Sequence, residues 1–159
     1  MRSILENHVD DFLQILSHDK CEWENFWKKL KKRFNPLLDE YENVVGDEFY
    51  KALKSIKRMD LDRFKREWLK KKRELKRRTG ILIRSRSKEL DLKRADFVVF
   101  LFFGAGIVDH VVVKGKRENV IMVDVFKFWK EKKLEDLPES ILKFSENFRS
   151  GGGKDGIQP

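Results

Sequence analysis

The sequence predicts an α+β protein, with a helical N-terminal half, then a mostly antiparallel sheet of three or four strands, then a C-terminal helix. Apolar residues recur at helical spacing through the first 80 positions. After Gly80, short runs rich in Val, Ile and Phe replace that pattern, as β-strands require. Hydrophobic residues make up 40% of the 159-residue chain, which excludes a wholly disordered protein.

The first 80 residues predict four helices. Ser3 and Glu6 form a capping-box pattern at the start of the first helix. Pro36 suits the first turn of the third helix, because its fixed backbone angle is already helical. The fourth helix is predicted over residues 61–79, with Gly80 directly past its end.

Four strands are predicted after Gly80. A strand over 81–86 runs into a polar loop, and strands over 97–103, 107–113 and 120–126 follow it. Because short links join the last three, we expect them to form an antiparallel meander. A last helix is predicted from Pro138 to about residue 148.

The chain divides into three expected parts. Residues 1–60 form a helical segment packed on the core, and residues 61–148 hold the fourth helix, the sheet and the last helix. The glycine-rich residues 149–159 read as a flexible tail.

The amino-acid composition excludes several classes of protein for this chain. The single cysteine excludes an internal disulfide framework and the usual cysteine-based zinc sites. The longest apolar run, over 97–103, is too short to span a membrane. We therefore expect a soluble, cytoplasmic protein with no membrane partner. Charged residues reach 40% while Gln and Thr are scarce, a bias typical of thermophilic proteins.

The net charge of +9 is concentrated in one helix. Residues 61–80 contain 10 Lys or Arg against 3 Asp or Glu, so this segment alone carries +7. A focused basic element indicates a polyanionic partner, and nucleic acid, DNA first, is the leading choice. The expected phosphate contacts are Arg66, Lys70, Lys71, Arg73, Arg77, Arg78, Arg84 and Arg86.

Two acids interrupt the most apolar part of the chain. If the strands around Asp109 and Asp124 pair without a bulge, with Val113 opposite Val120, the two acids lie directly opposite each other. Like charges there destabilise a sheet unless one acid is protonated, a basic side chain bridges them, or a divalent cation lies between them. A slip of one residue, or a bulge, would separate the two acids.

This arrangement resembles the PD-(D/E)XK nuclease superfamily over about residues 63–148. The resemblance implies that Asp109 and Asp124 ligate Mg²⁺ or Mn²⁺, and that Lys127 orients a metal-bound water. It also implies that Glu67 or Glu74 on the preceding helix completes the catalytic site. The chain departs from the family pattern because two residues, rather than one, separate Asp124 from Lys127.

Three functions remain open from the sequence. The first is a divalent-metal-dependent DNA nuclease. The second is a non-catalytic DNA- or RNA-binding protein, in which residues 1–60 could form a homodimer. The third is an interaction module whose basic helix meets an acidic protein. The two acids also have an interpretation without a metal site, in which Asp109 and Asp124 are solvated, or paired with Lys127 or His110.

Overall fold

The computed structural model describes residues 5–90, 97–114 and 119–146. This part of the chain is a mixed α/β structure, and its N-terminal half is helical as predicted. The helices are α1 (Val9–Leu16), α2 (Lys20–Arg33), α3 (Leu37–Val45), α4 (Glu48–Ser55), α5 (Arg58–Leu90), α6 (Val125–Lys130) and α7 (Leu137–Ser145). The strands are β1 (Leu5–Asn7), β2 (Phe97–Phe102), β3 (His110–Lys114) and β4 (Asn119–Asp124). A short 3-10 turn, Leu134–Asp136, leads into α7.

The sheet is mixed, so the prediction of a mostly antiparallel sheet is wrong. Its strand order is β1-β2-β4-β3, with β1, β2 and β4 mutually parallel and only β3 antiparallel to its neighbour. All six residues of β2 are buried, as is typical of a strand with parallel neighbours and both faces covered. The chain leaves β2, crosses to the sheet edge as β3, and returns between them as β4.

A strand near the N-terminus replaces the predicted start of the first helix. Leu5 pairs with Val99 and Asn7 with Leu101, which makes β1 the edge neighbour of β2. Helix α1 therefore begins only at Val9, where the Asn7 side chain accepts a hydrogen bond from the Val9 N–H at 3.0 Å. Pairing with a distant strand overrides the local capping signal, because sheet formation depends on long-range context.

Helix α5 is longer than predicted and replaces the strand expected over 81–86. It runs for 33 residues, from Arg58 to Leu90, and passes through Gly80. Ile83 is buried while Ile81 is exposed, and Leu75 and Thr79 continue the buried face at four-residue spacing. Contacts with α7 support this C-terminal part of the helix, which offsets the cost of an interior glycine, about 1 kcal/mol.

The sheet lies between two helical layers. Phe102 of β2 contacts Phe12 of α1 and Tyr41 of α3, so the N-terminal helices cover one face. Phe103, directly after β2, contacts Phe64 of α5, which covers the other face. In the residues that the structure describes, no helix is long and apolar enough to cross a membrane. The predicted tail, residues 149–159, lies outside them.

Candidate nucleic-acid interface

Asp124 is buried at the junction of β4 and α6, and its carboxylate caps the helix. Oδ1 accepts hydrogen bonds from the backbone N–H groups of Phe126 at 3.0 Å and Lys127 at 3.4 Å. The turn after β2 adds the N–H of Gly104 to Oδ1 at 2.9 Å and the N–H of Gly106 to Oδ2 at 2.7 Å. Burial raises the pKa of Asp124 to about 6, although the four N–H donors oppose that rise.

The strand register around the two acids is the predicted one. Val113 pairs with Val120, and the N–H of Asp124 donates to the carbonyl oxygen of Asp109 at 3.0 Å. The carboxylates nevertheless have different partners. The half-exposed carboxylate of Asp109 lies 2.7 Å from Nδ1 of His110, a pairing that the sequence left open as an alternative.

The other expected catalytic side chains are also engaged elsewhere. Lys127 lies on α6 and pairs with Glu131 at 3.0 Å. On α5, Glu67 accepts a hydrogen bond from the indole of Trp129 at 2.9 Å, and Glu74 pairs with Arg77 at 2.6 Å. Across residues 5–90, 97–114 and 119–146, no group of three or more His, Cys, Asp or Glu is placed to hold a metal ion.

The exposed face of α5 carries a row of cations. Their spacing of three, four or seven residues places them on one side of the helix, opposite the buried Trp68 and Leu75. At 1.5 Å per residue the row extends for about 32 Å. We call it the basic stripe: Arg63, Arg66, Lys70, Arg73, Arg77 and Arg84, all exposed.

The cations that the sequence predicted as phosphate contacts fall into two groups, those without and those with an ion-pair partner. Arg66, Lys70, Arg73 and Arg84 make no ion pair with any described side chain. Four others are engaged: Arg77 with Glu74, Lys71 with Glu135, Arg78 with Glu135 and Glu139, and Arg86 with Glu146. The hydrogen bond from Lys71, at 2.8 Å, lowers the pKa of Glu135.

The structure adds residues that the sequence did not single out. Arg63 extends the basic stripe toward the N-terminus of α5, and faces a cleft also lined by Trp129, Lys130 and Lys132. The three- and four-residue spacing of the stripe was available in the sequence and would have included Arg63. No sequence signal brings the segment around Trp129 to α5, because that contact joins positions more than 60 residues apart.

Comparisons of the chain with family models, with curated proteins and with solved structures give no match. The resemblance to the PD-(D/E)XK superfamily and the Mg²⁺ or Mn²⁺ site therefore stay predictions.

Proposed function

We propose that this protein binds nucleic acid through the basic stripe of α5, without requiring catalysis. The observation that carries the proposal is that five of the six exposed cations in this row, all but Arg77, have no ion-pair partner among the described residues. Three cations of the same helix outside the stripe, Lys71, Lys72 and Arg78, pair instead with acids of α1, α7 or the 3-10 turn. Unpaired cations on one straight face suit a partner with regularly spaced negative charge.

A nucleic-acid backbone is such a partner. The stripe is about 32 Å long, close to one turn of a DNA duplex. A continuous 33-residue helix with a buried opposite face presents these side chains in one row toward the phosphates. Because the contacts are to phosphate, we expect weak sequence preference and strong dependence on salt.

The proposal favours binding over cleavage for a specific reason. The carboxylate of Asp124 is enclosed by four backbone N–H donors, so it has little remaining capacity to ligate a metal. Asp109 contacts His110 instead of a second acid.

Salt-dependent DNA binding tests the proposal. Replacing Arg66, Lys70, Arg73 and Arg84 by Ala should weaken binding to a duplex and flatten the plot of log affinity against log salt by about three to four units. The matched control replaces Lys28, Lys32, Lys51 and Lys54, four exposed lysines of α2 and α4, by Ala. Its net charge is the same, and its affinity should stay close to that of the wild type.

Two outcomes would contradict this function. Equal losses for both quadruple variants would mean that net charge alone attracts DNA. Cleavage of DNA that needs Mg²⁺ or Mn²⁺ and stops with EDTA would favour the nuclease prediction instead.

A further inference from the structure

A cleft beside the basic stripe has the size of a small-ligand site. It lies between α5 and the α6 segment and encloses about 490 Å³, within the usual range for ligand pockets. Asp60, Arg63 and Glu67 line it from α5. Arg63 belongs to both the cleft and the stripe, so a polymer lying along α5 would pass the mouth of the cleft.

The aromatic wall of this cleft is held in place from several sides. The ring of Trp129 stacks on Phe126 with centroids 5.5 Å apart and contacts the ring of Phe64 at 5.7 Å. Its indole N–H donates to Glu67 at 2.9 Å. Because that polar group is already used, Trp129 offers the cleft the carbon surface of its ring. Such a surface binds nucleic-acid bases by stacking, whatever their sequence.

The charged side chains of the cleft suit the rest of a nucleotide, because two of its three carboxylates, Glu67 and Glu135, are already bonded to Trp129 and Lys71. Arg63, Lys130 and Lys132 make no ion pair within the described part of the chain, so they are available to a phosphate. The carboxylate of Asp60 has no described partner either, and can accept a hydrogen bond from an exocyclic amino group of a base. Aromatic, cationic and acceptor groups in one cleft therefore fit base and phosphate together.

Lys132 also has an unfavourable backbone. Its φ of 59° lies in the left-handed region, two residues past the end of α6. The Lys132 N–H donates to the carbonyl of Trp129 at 2.9 Å and the Lys133 N–H to that of Phe128 at 2.7 Å, a pattern that usually places glycine at this position. A lysine that is strained here and also lines the cleft is consistent with a binding role.

We propose that the cleft binds one unpaired nucleotide of a single-stranded nucleic acid. The base stacks on Trp129, and its phosphate contacts Arg63, Lys130 and Lys132. This inference rests on the proposed function, because the basic stripe must hold the flanking backbone. A base paired within a duplex cannot reach Trp129, so the cleft distinguishes single strands from duplexes.

The test compares an oligonucleotide of about 16 nucleotides with its own duplex. Trp129→Leu removes the stacking surface, and should weaken single-strand binding about five- to a hundredfold while duplex binding changes less than about twofold. Trp129→Phe keeps a ring but cannot donate to Glu67, and should retain part of the preference. The urea midpoint of each variant shows whether it is folded.

Lys132→Gly separates binding from folding. It should raise the urea midpoint, since glycine tolerates the left-handed backbone, yet weaken single-strand binding. Lys133→Ala removes the same charge one residue away, and should change neither the affinity for the single strand nor that for the duplex.

The outcomes divide clearly. If Trp129→Leu and Lys132→Gly leave the affinity for the single strand unchanged, the cleft is not a nucleotide site. The same holds if they lower the affinities for the single strand and for the duplex equally. In either case α5 can still bind nucleic acid. If wild-type protein binds neither strand form, both the cleft site and the proposed function are overturned.

Discussion

Oδ2 of Asp124 accepts a hydrogen bond from the backbone N–H of Gly106 at 2.7 Å, and this contact ties the end of β4 to the turn that follows β2. The hydroxyl of Tyr41 reaches the same turn from α3 and donates to the carbonyl of Gly104. Burial and the nearby charge of Asp124 raise the pKa of Tyr41, so its hydroxyl keeps the proton it donates. One buried polar cluster thus joins the two central strands, α3 and α6.

Asp124→Ala should destabilise the fold strongly. The change removes the acceptor of four backbone N–H groups and the cap of α6, so the free energy of unfolding should fall by about 3 kcal/mol. Urea denaturation measures it. Asp109→Ala is the control: its half-exposed carboxylate should matter by less than about 0.5 kcal/mol. If both substitutions lowered the free energy of unfolding by similar amounts, the burial of Asp124 would not explain its contribution to stability.

Stability should rise as the pH falls from about 7 to about 5. The pKa of Asp124 is about 6 in the folded protein, against an ordinary 3.8, so the folded state binds this proton more tightly than the unfolded state. The stabilisation that this tighter proton binding by Asp124 gives is complete at pH values below 3.8, and it is lost as the pH rises through 6. The expected gain over that interval is about 1 kcal/mol.

Asp124→Asn should abolish that pH dependence, whatever its effect on absolute stability. The acids whose pKa is lowered, Glu42, Glu74 and Glu135, lose their favourable contacts only at more acidic pH. Urea midpoints of wild type and variant at the two pH values give the comparison. A variant that keeps the full rise would place the titrating group elsewhere.

Gly104→Ala and Gly80→Ala should shift stability in opposite directions. A Cβ on Gly104 would lie 2.5 Å from Oη of Tyr41 and 2.9 Å from Oδ2 of Asp124, inside the buried cluster. We expect a loss of at least about 2 kcal/mol. A Cβ on Gly80 would meet only the flexible end of Arg84, at 3.3 Å, so helix α5 should gain about 0.5–1 kcal/mol. Thermal unfolding of both variants checks the pair, and destabilisation by Gly80→Ala would contradict a continuous α5.

Local patterns in the sequence were sufficient for some of these features. Pairing the two apolar runs as a hairpin without a bulge predicted the register of β3 against β4, with Val113 opposite Val120, that the structure has. The basic character of α5 was likewise visible in its composition. The spacing of Trp68 and Leu75 identified its buried face.

Long-range contacts explain what the sequence did not predict. Whether β2 neighbours β3 or β4 depends on packing between distant segments, and a short link was a poor guide to it. Ile81 and Ile83 are β-branched, which favoured a strand, but helix α5 packs against α7 and continues through them. The hydrogen bonds from Gly104 and Gly106 to Asp124 were not predicted, because they join the turn after β2 to the end of β4.

Removing the ion pair between Glu74 and Arg77 tests the basic stripe with a substitution that should strengthen DNA binding. Glu74 is the partner that withholds Arg77 from a ligand, with bonds of 3.1 and 2.6 Å, and its pKa is lowered by that contact. Glu74→Gln should free Arg77 and remove a negative charge beside the phosphates. DNA affinity should increase, and the slope of log affinity against log salt should steepen by about one unit.

Glu40→Gln, an equal charge change at an exposed site of α3, is the control for Glu74→Gln and should leave the slope unchanged. If Glu74 is instead a metal ligand of a nuclease, its replacement would abolish Mg²⁺-dependent cleavage. Titration of a labelled duplex at several salt concentrations, with cleavage followed on a gel, separates these results. Weaker binding by Glu74→Gln would show that Arg77 contacts DNA only while Glu74 holds it in place.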